Sequence, residues 1–113
     1  MKRYCFALDL KDDPMLIAEY EVYHRRIWPE ITRSIKSSGI VDLQIYRIAT
    51  RLFMIMDTAE EFSLEKKSMD DKKDSKVQEW EQLMWKYQQA LPGSNAGEKW
   101  RMMQKIFDLA ENG

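Results

Sequence analysis

Residues 40–56 read IVDLQIYRIATRLFMIM and predict two antiparallel strands joined by a short turn, which is the clearest signal of a sheet in the chain. In the first strand, Ile40–Ile48, alternate residues form an apolar face: Val41, Leu43 and Ile45. The second strand begins at Arg51 and is apolar on both faces through Met56, which is typical of a strand in the middle of a sheet.

The segment before this hairpin predicts a strand and then a helix. Tyr4–Leu10 alternates large residues with small or polar ones, as a strand does. Asp13 can then cap a helix whose first residue is Pro14. Apolar and aromatic residues follow at helical spacing: Leu16, Ile17, Tyr20, His24, Ile27, Ile31 and Ile35. Pro29 interrupts this series, so it either kinks the helix or begins a second one, and Gly39 suits the left-handed position at its end.

The segment after the hairpin predicts a second helix and a fourth strand. Glu60–Asp74 is strongly charged, and we expect its last part, Met69–Asp74, to be an exposed, mobile helix end or loop. Helical spacing resumes over Lys76–Leu91, and residues 92–97 form a loop. Apolar residues then alternate over Trp100–Leu109, which predicts the last strand.

The resulting order, β-α-β-β-α-β, is the ferredoxin-like plan, an α+β fold with both helices on one face of an antiparallel sheet. The last two strands are too apolar on both sides for the other face to stay in water. We therefore expect a second copy of the chain to pack sheet against sheet as a homodimer. The length of 113 residues fits a single domain over residues 1–113.

Composition argues against several kinds of partner. The net charge of -1, from 18 basic and 19 acidic residues, gives no electrostatic reason to expect nucleic acid or a membrane as a partner. The start of the chain lacks the long apolar region of a signal peptide. Cys5 is the only cysteine, which suits a reducing cytoplasm, so we expect a cytoplasmic protein. With one cysteine and one histidine we expect no metal site.

His24 is the only histidine and the one candidate for acid–base chemistry. It follows Tyr20 by four residues, so both side chains lie on one helix face. On the residues alone, a structural histidine bonded to a neighbour is the simpler interpretation. The chain also has four tryptophans: Trp28, Trp80, Trp85 and Trp100. Each can be core filling, which is again the simpler interpretation, or a flat surface on which a sugar stacks.

Three segments resemble the L-rhamnose mutarotase family. Glu19–Ile31 reads EYEVYHRRIWPEI and has the family's Tyr, three residues, a His and then Ile-Trp-Pro-Glu. Trp85-Lys86-Tyr87, followed by Leu91-Pro92, is similar to a second family segment. Lys105–Leu109 is similar, more loosely, to the family's last strand. The resemblance covers nearly the whole chain.

The resemblance implies a dimeric α/β barrel that interconverts the α and β anomers of a deoxy-hexose without a cofactor. It implies that His24 is the proton donor, that Tyr20 binds substrate, and that Trp85 is the second of two adjacent tryptophans in the sugar pocket. We expect Trp28 to add to the apolar wall. The general base is unassigned.

Two positions depart from the family. Met84 replaces the first of the two adjacent tryptophans, and Leu43 replaces a substrate-contacting tyrosine. Both changes remove a ring and the second also removes a hydroxyl, so the preferred sugar should change. L-rhamnose and L-fucose both stay open. Two other functions also stay open: a cofactor-independent monooxygenase on the same dimeric fold, and a non-catalytic small-molecule-binding module.

Overall fold

The computed structural model describes residues 1–112 as one sheet with helices packed against it. The elements in chain order are β1 (Lys2–Leu10), α1 (Pro14–Arg25), α2 (Pro29–Ser37), β2 (Ile40–Ile48), β3 (Arg51–Thr58), α3 (Leu64–Lys73), α4 (Ser75–Trp85), β4 (Gln88–Gln89), β5 (Arg101–Met102) and α5 (Leu109–Asn112). In residues 1–112, no helix combines the length and the apolar character needed to cross a bilayer.

The sheet confirms the ferredoxin-like plan. Its strand order is β2-β3-β1-β4, with β5 also pairing with β1, and every pair is antiparallel. β3 lies between β2 and β1, which is the central place that its apolar residues on both faces predict. Each of the two helical regions consists of two consecutive helices rather than one.

The helices cover the face of the sheet to which alternate residues of β1 and β3 point. These buried residues are Phe6, Leu8, Leu10, Leu52, Met54 and Met56. Leu10 and Leu52 pack in one cluster with Tyr20 and Trp80, whereas Phe6 packs in a second cluster that includes Phe62. Burying a side chain of this size contributes about 1.5–3 kcal/mol, so these two clusters supply much of the stability.

The sequence signals at the helix ends act as predicted. The Asp13 carboxylate accepts hydrogen bonds from the backbone N–H groups of Met15 (2.9 Å) and Leu16 (3.4 Å), which caps α1. Of the two alternatives for Pro29, the structure shows the start of a second helix. Gly39 has φ +99°, the left-handed conformation that favours glycine, directly after α2 and its C-cap.

For Met69–Asp74, the structure shows a helix end rather than a loop. Met69 lies in α3, with an exposed side chain, and α3 continues to Lys73. Asp74 ends α3 and caps α4, because its carboxylate accepts from the N–H groups of Lys76 (3.0 Å) and Val77 (3.2 Å).

The predicted helix Lys76–Leu91 is wrong beyond Trp85, where α4 ends. The Tyr87 carbonyl accepts a hydrogen bond from the Lys11 N–H (2.9 Å), and Gln88 then pairs with Leu10 of β1. Tyr87 is almost fully buried although it lies outside the helix. Tyr87 is buried and lies at a helical spacing from Met84, so the apolar pattern continued past Trp85, where the helix ends.

The predicted fourth strand, Trp100–Leu109, is also wrong over most of its length. Only Arg101–Met102 forms a strand, and β4 occupies the adjoining part of the same β1 edge. The Met103 N–H still donates to the Cys5 carbonyl (2.7 Å), after which the chain leaves the sheet and Ile106 is 93% exposed. Alternation describes the two faces of a strand, but a strand also needs a neighbour for its backbone groups.

The second face of the sheet has no helix layer among residues 1–112, and it carries aromatic and aliphatic side chains. Tyr46 and Phe53 lie side by side on it, with ring centroids 6.5 Å apart, and Ile55 is next along β3. An ion pair joins Arg3 to Asp57 (2.7 Å). Val41, expected on the apolar face, is exposed because a β-bulge between Ile40 and Asp42 shifts the register.

We predict that Asp13→Ala lowers the free energy of unfolding by about 1 kcal/mol, because two N–H groups at the start of α1 lose their acceptor. Urea denaturation followed by circular dichroism measures this change. Asp12→Ala removes the neighbouring exposed carboxylate and is the matched control. Equal losses in the two variants would contradict the capping role.

Candidate active site

The only histidine borders a cavity of about 180 Å³ between the helices and the sheet. Its lining includes Tyr20, His24, Leu43, Trp80, Met84, Gln88 and Trp100, and we call it the His24 cavity. It is smaller than the pockets of about 300–1,000 Å³ that hold drug-sized ligands. Its size therefore suits a ligand as small as a monosaccharide.

One hydrogen bond orients the His24 ring. His24 Nδ1 lies 2.8 Å from the backbone oxygen of Tyr20, one helical turn earlier in α1. A carbonyl oxygen only accepts, so Nδ1 carries the hydrogen and donates it. In the neutral ring, Nε2 then holds a lone pair and is the nitrogen available to a ligand.

Aromatic rings enclose the imidazole. The Tyr20 ring lies 4.2 Å from the His24 ring between centroids, and the Trp80 ring lies 5.7 Å away, edge to face. Burial among these rings lowers the pKa of His24 below its ordinary value of 6.5, and the hydrogen bond to the Tyr20 carbonyl opposes this only in part. The imidazole is therefore mainly neutral at pH 7, so Nε2 can accept a proton.

The Tyr20 hydroxyl stays protonated beside it. Tyr20 is only 3% exposed, and burial raises its pKa to about 12, while a hydrogen bond from Gln88 lowers it slightly. The Gln88 side-chain nitrogen donates to this hydroxyl at 3.4 Å. The hydroxyl hydrogen remains available to donate to a ligand.

Three charged side chains at the cavity wall, Lys67, Asp71 and Lys99, are paired with protein atoms. Lys67 and Asp71 form a half-buried ion pair at 2.5 Å. Lys99 donates to the Glu81 backbone oxygen at 2.7 Å, and burial lowers the pKa of this amine. The cavity thus combines apolar walls with a few placed polar groups, which is typical of a small-molecule site.

The structure brings four of the six residues predicted from the sequence to the His24 cavity. These are Tyr20, His24, Leu43 and Met84. Trp28 instead packs edge-on against Trp80, with ring centroids 5.1 Å apart. Trp85 lies beneath the Lys99 amine, 4.9 Å from its ring centroid. Each of these two tryptophans therefore contacts a residue of the cavity wall without lining the cavity itself.

Several wall residues were missed from the sequence. Trp80 precedes Met84 by one helical turn, so its spacing could have placed it on the same face of α4. Trp100, Gln88 and Lys99 follow that helix, and their positions depend on β4 and β5, which the sequence pattern did not predict.

Two other hollows lack this combination of groups. The larger, about 640 Å³, lies beside α2 and α3 and is lined mainly by charged and hydroxyl side chains such as Glu30, Lys66 and Asp70. The other, about 440 Å³, is open and is also lined by Tyr20 and His24, on the side of Arg25 and Tyr46, but its lining includes neither Gln88 nor a tryptophan. We therefore place the site in the His24 cavity. The fold and this cavity define a small α+β protein whose only histidine borders a largely apolar pocket.

Comparison with known proteins identifies the family. The family model described as L-rhamnose mutarotase matches residues 3–109, so the chain belongs to the L-rhamnose mutarotase family. This confirms the resemblance drawn from the sequence. It also confirms that the chain is an isomerase that interconverts sugar anomers.

Individual relatives agree over nearly the full length. An L-fucose mutarotase from Xanthomonas campestris pv. campestris is 47% identical over 113 residues, covering 98% of this chain and 90% of that protein. A UPF0734 protein from Dictyostelium discoideum is 36% identical over 115 residues, covering 96% and 90%. The crystal structure of an L-rhamnose mutarotase from Formosa agariphila has a TM-score of 0.71 at 18% identity, covering 96% of this chain and 99% of that one, and it supports the fold.

We predict that NMR titration of the His24 ring gives a pKa below 6.5, because the buried ring disfavours the charged form. Nitrogen chemical shifts should show the neutral tautomer with hydrogen on Nδ1. Tyr20→Phe is the control, since it keeps the backbone carbonyl and should keep the tautomer. A neutral ring with hydrogen on Nε2 would contradict the assignment.

Proposed function

We propose that residues 1–113 act as one domain that interconverts the α and β pyranose forms of a deoxy-hexose, with L-fucose as the preferred sugar and His24 as the proton carrier. The supporting observation is the hydrogen bond between His24 Nδ1 and the Tyr20 carbonyl at 2.8 Å. This bond occupies Nδ1 and leaves Nε2 as the basic atom of the ring.

Mutarotation needs only proton movement. The anomeric hydroxyl loses its proton and the ring oxygen gains one, while the bond between the anomeric carbon and the ring oxygen breaks and the anomeric carbonyl forms. Rotation about the next carbon–carbon bond presents the other carbonyl face. The reverse proton movements then close the ring as the other anomer, and no electrons are lost or gained.

We propose that the single imidazole performs both proton transfers. Neutral Nε2 takes the proton of the anomeric hydroxyl, and the imidazolium then donates it to the ring oxygen, which is the proton-donor role expected from the sequence. Both oxygens are bonded to the same carbon, so one nitrogen can reach each in turn. The low pKa of His24 favours this order, because the ring starts neutral at pH 7.

The other wall residues would hold the sugar. We propose that the Tyr20 hydroxyl donates a hydrogen bond to it and that Met84 and Leu43 contact its apolar parts, with Trp80 and Trp100 as the flat surfaces. Trp28 would support Trp80, and Trp85 would support Lys99, through the contacts described above.

The preference for L-fucose rests on two observations. The relative that matches over 98% of this chain at 47% identity is an L-fucose mutarotase. In addition, Leu43 stands where the family resemblance places a substrate-contacting tyrosine, and Met84 where it places a tryptophan. The pocket thus loses two rings and one hydroxyl. A pocket that lacks a hydrogen-bonding partner for one sugar prefers another.

We predict that His24→Ala lowers the catalysed rate of anomer exchange by about 10²–10⁴-fold, because the proton carrier is removed. Saturation-transfer NMR measures this rate with L-fucose, L-rhamnose and D-galactose, and L-fucose should give the highest wild-type kcat/KM. The wild-type rate should also fall as pH drops through the His24 pKa, because Nε2 becomes protonated.

Arg26→Ala is the control for this experiment, since Arg26 is an exposed residue at the end of the same helix. It should keep the wild-type rate. Undiminished exchange in His24→Ala would remove His24 from the mechanism, and faster exchange of L-rhamnose than of L-fucose would overturn the sugar preference.

We also propose that the protein is a homodimer joined through the second face of the sheet. This face carries Tyr46, Phe53 and Ile55, and the chain end adds exposed Ile106 and Phe107. Apolar surface of this kind on a small domain marks an interface, and two copies would bury it against each other.

We predict that Ile55→Lys shifts the protein from a dimer to a monomer, because it places a charge in the middle of the proposed interface. Sedimentation velocity should give about twice the 13.5 kDa chain mass for wild type and the chain mass for the variant. Met69→Lys changes an exposed apolar residue of α3, away from this face, and should stay dimeric. A monomeric wild type would refute the proposal.

A further inference from the structure

Gln88 is a buried polar side chain at the wall of the His24 cavity. It lies in β4, pairs with Leu10 of β1 and is only 4% exposed. Its side-chain nitrogen donates to the Tyr20 hydroxyl at 3.4 Å. Its side-chain oxygen, Oε1, is buried and has no hydrogen-bond partner among residues 1–112.

An unpaired acceptor of this kind is costly, because the atom has lost its water and gained nothing in exchange. Native proteins keep few such atoms, so an unpaired acceptor at the wall of a cavity marks a place where a polar group from outside the chain can bind. A half-turn of the amide would exchange its oxygen and nitrogen but would still leave one of them unpaired. The Gln88 amide therefore keeps one polar atom without a hydrogen-bond partner in either orientation.

Gln88 and Tyr20 together present complementary groups. The Tyr20 hydroxyl accepts from Gln88, so its own hydrogen is left to donate, while Gln88 Oε1 is left to accept. A sugar hydroxyl is both a donor and an acceptor, so it can satisfy both groups. Trp80 and Met84, in contrast, offer contact without this directional requirement.

We propose that Gln88 is a specificity-determining residue whose Oε1 accepts a hydrogen bond from one hydroxyl group of the bound deoxy-hexose. This inference rests on the proposed function and identifies a residue of the same cavity that discriminates between sugars. A sugar that lacks this hydroxyl, or holds it in the opposite orientation, leaves the buried acceptor unpaired and is rejected. Proton transfer stays with His24, so Gln88 acts on substrate choice.

The test compares L-fucose with its analogues that lack one ring hydroxyl at a time, in the wild-type protein and in Gln88→Met. Calorimetry gives Kd, and saturation-transfer NMR gives kcat/KM. In wild type, one analogue should bind about 10- to 100-fold more weakly than L-fucose, because the acceptor then stays unpaired. In Gln88→Met, which keeps the side-chain length without a polar atom, that same analogue should lose no more than about threefold relative to L-fucose.

Gln89→Met is the matched control, because Gln89 is the exposed neighbour in β4 and its replacement should leave the wild-type ratios unchanged. Gln88→Glu keeps an acceptor oxygen and should restore discrimination against the same analogue. Gln88→Leu repeats the test with another apolar shape if Gln88→Met does not fold. Restoration by an acceptor and its loss in apolar variants separates hydrogen bonding from packing.

The outcomes separate this inference from the proposed function. If wild type binds and exchanges the sugar, but every analogue ratio is the same in wild type and Gln88→Met, the role of Gln88 is refuted and the function stands. If wild type binds sugars without speeding exchange, the function fails while the Kd ratios still decide the role of Gln88. If it does neither with any sugar, both fail.

Discussion

The site depends on the hydrogen bond from His24 Nδ1 to the Tyr20 carbonyl. This bond fixes the tautomer of the ring, and burial next to Trp80 lowers its pKa, so a basic nitrogen is kept at the cavity. The hydrogen bond follows from helix geometry, because the carbonyl of residue i points toward residue i+4, whereas the burial comes from the packing of α1 against Trp80 of α4. α1 ends one residue after His24, and Pro29 begins a new helix, so the ring lies in the last turn beside α4 and the sheet.

The cavity also depends on the edge of β1 that two short strands share. β4 holds Gln88 beside the Tyr20 hydroxyl. The pairing of β5 with β1 holds the preceding residue, Trp100, against both core clusters. Each strand has only two residues, yet each determines where a wall residue lies. A single long fourth strand, as alternation predicted, would not leave the same edge of β1 to Gln88. The two short strands after α4 therefore also place Gln88, a polar side chain of the His24 cavity.

Local signals predicted most of the fold. The hairpin, the Asp13 cap, the helix start at Pro29 and the turn at Gly39 each follow from the chemistry of one or a few residues. Apart from the exposed Val41 at the β2 bulge, the errors fall after Trp85, where the helical pattern continued through Tyr87 and the alternating pattern suggested a long strand. The structure of both regions depends on pairing with β1, which is distant in sequence, and the hydrophobic periodicity of a segment does not show such pairing. Tyr20 and His24 were predictable because they share a helix, whereas Gln88 and Trp100 reach the cavity through that long-range pairing.

The composition of the cavity bears on how the sugar is chosen. Stacking on indole rings depends on an apolar patch that many sugars share, so Trp80 and Trp100 would contribute affinity with little discrimination. A hydrogen bond in a buried place discriminates strongly, because a wrong partner leaves an unpaired group on both sides. At Leu43 and Met84 the wall lacks directional groups, and in our proposal Tyr20 and Gln88 are the donor and acceptor pair that contacts the sugar. A protein with this wall would retain the family's proton chemistry at His24 and would read its substrate mainly through that pair.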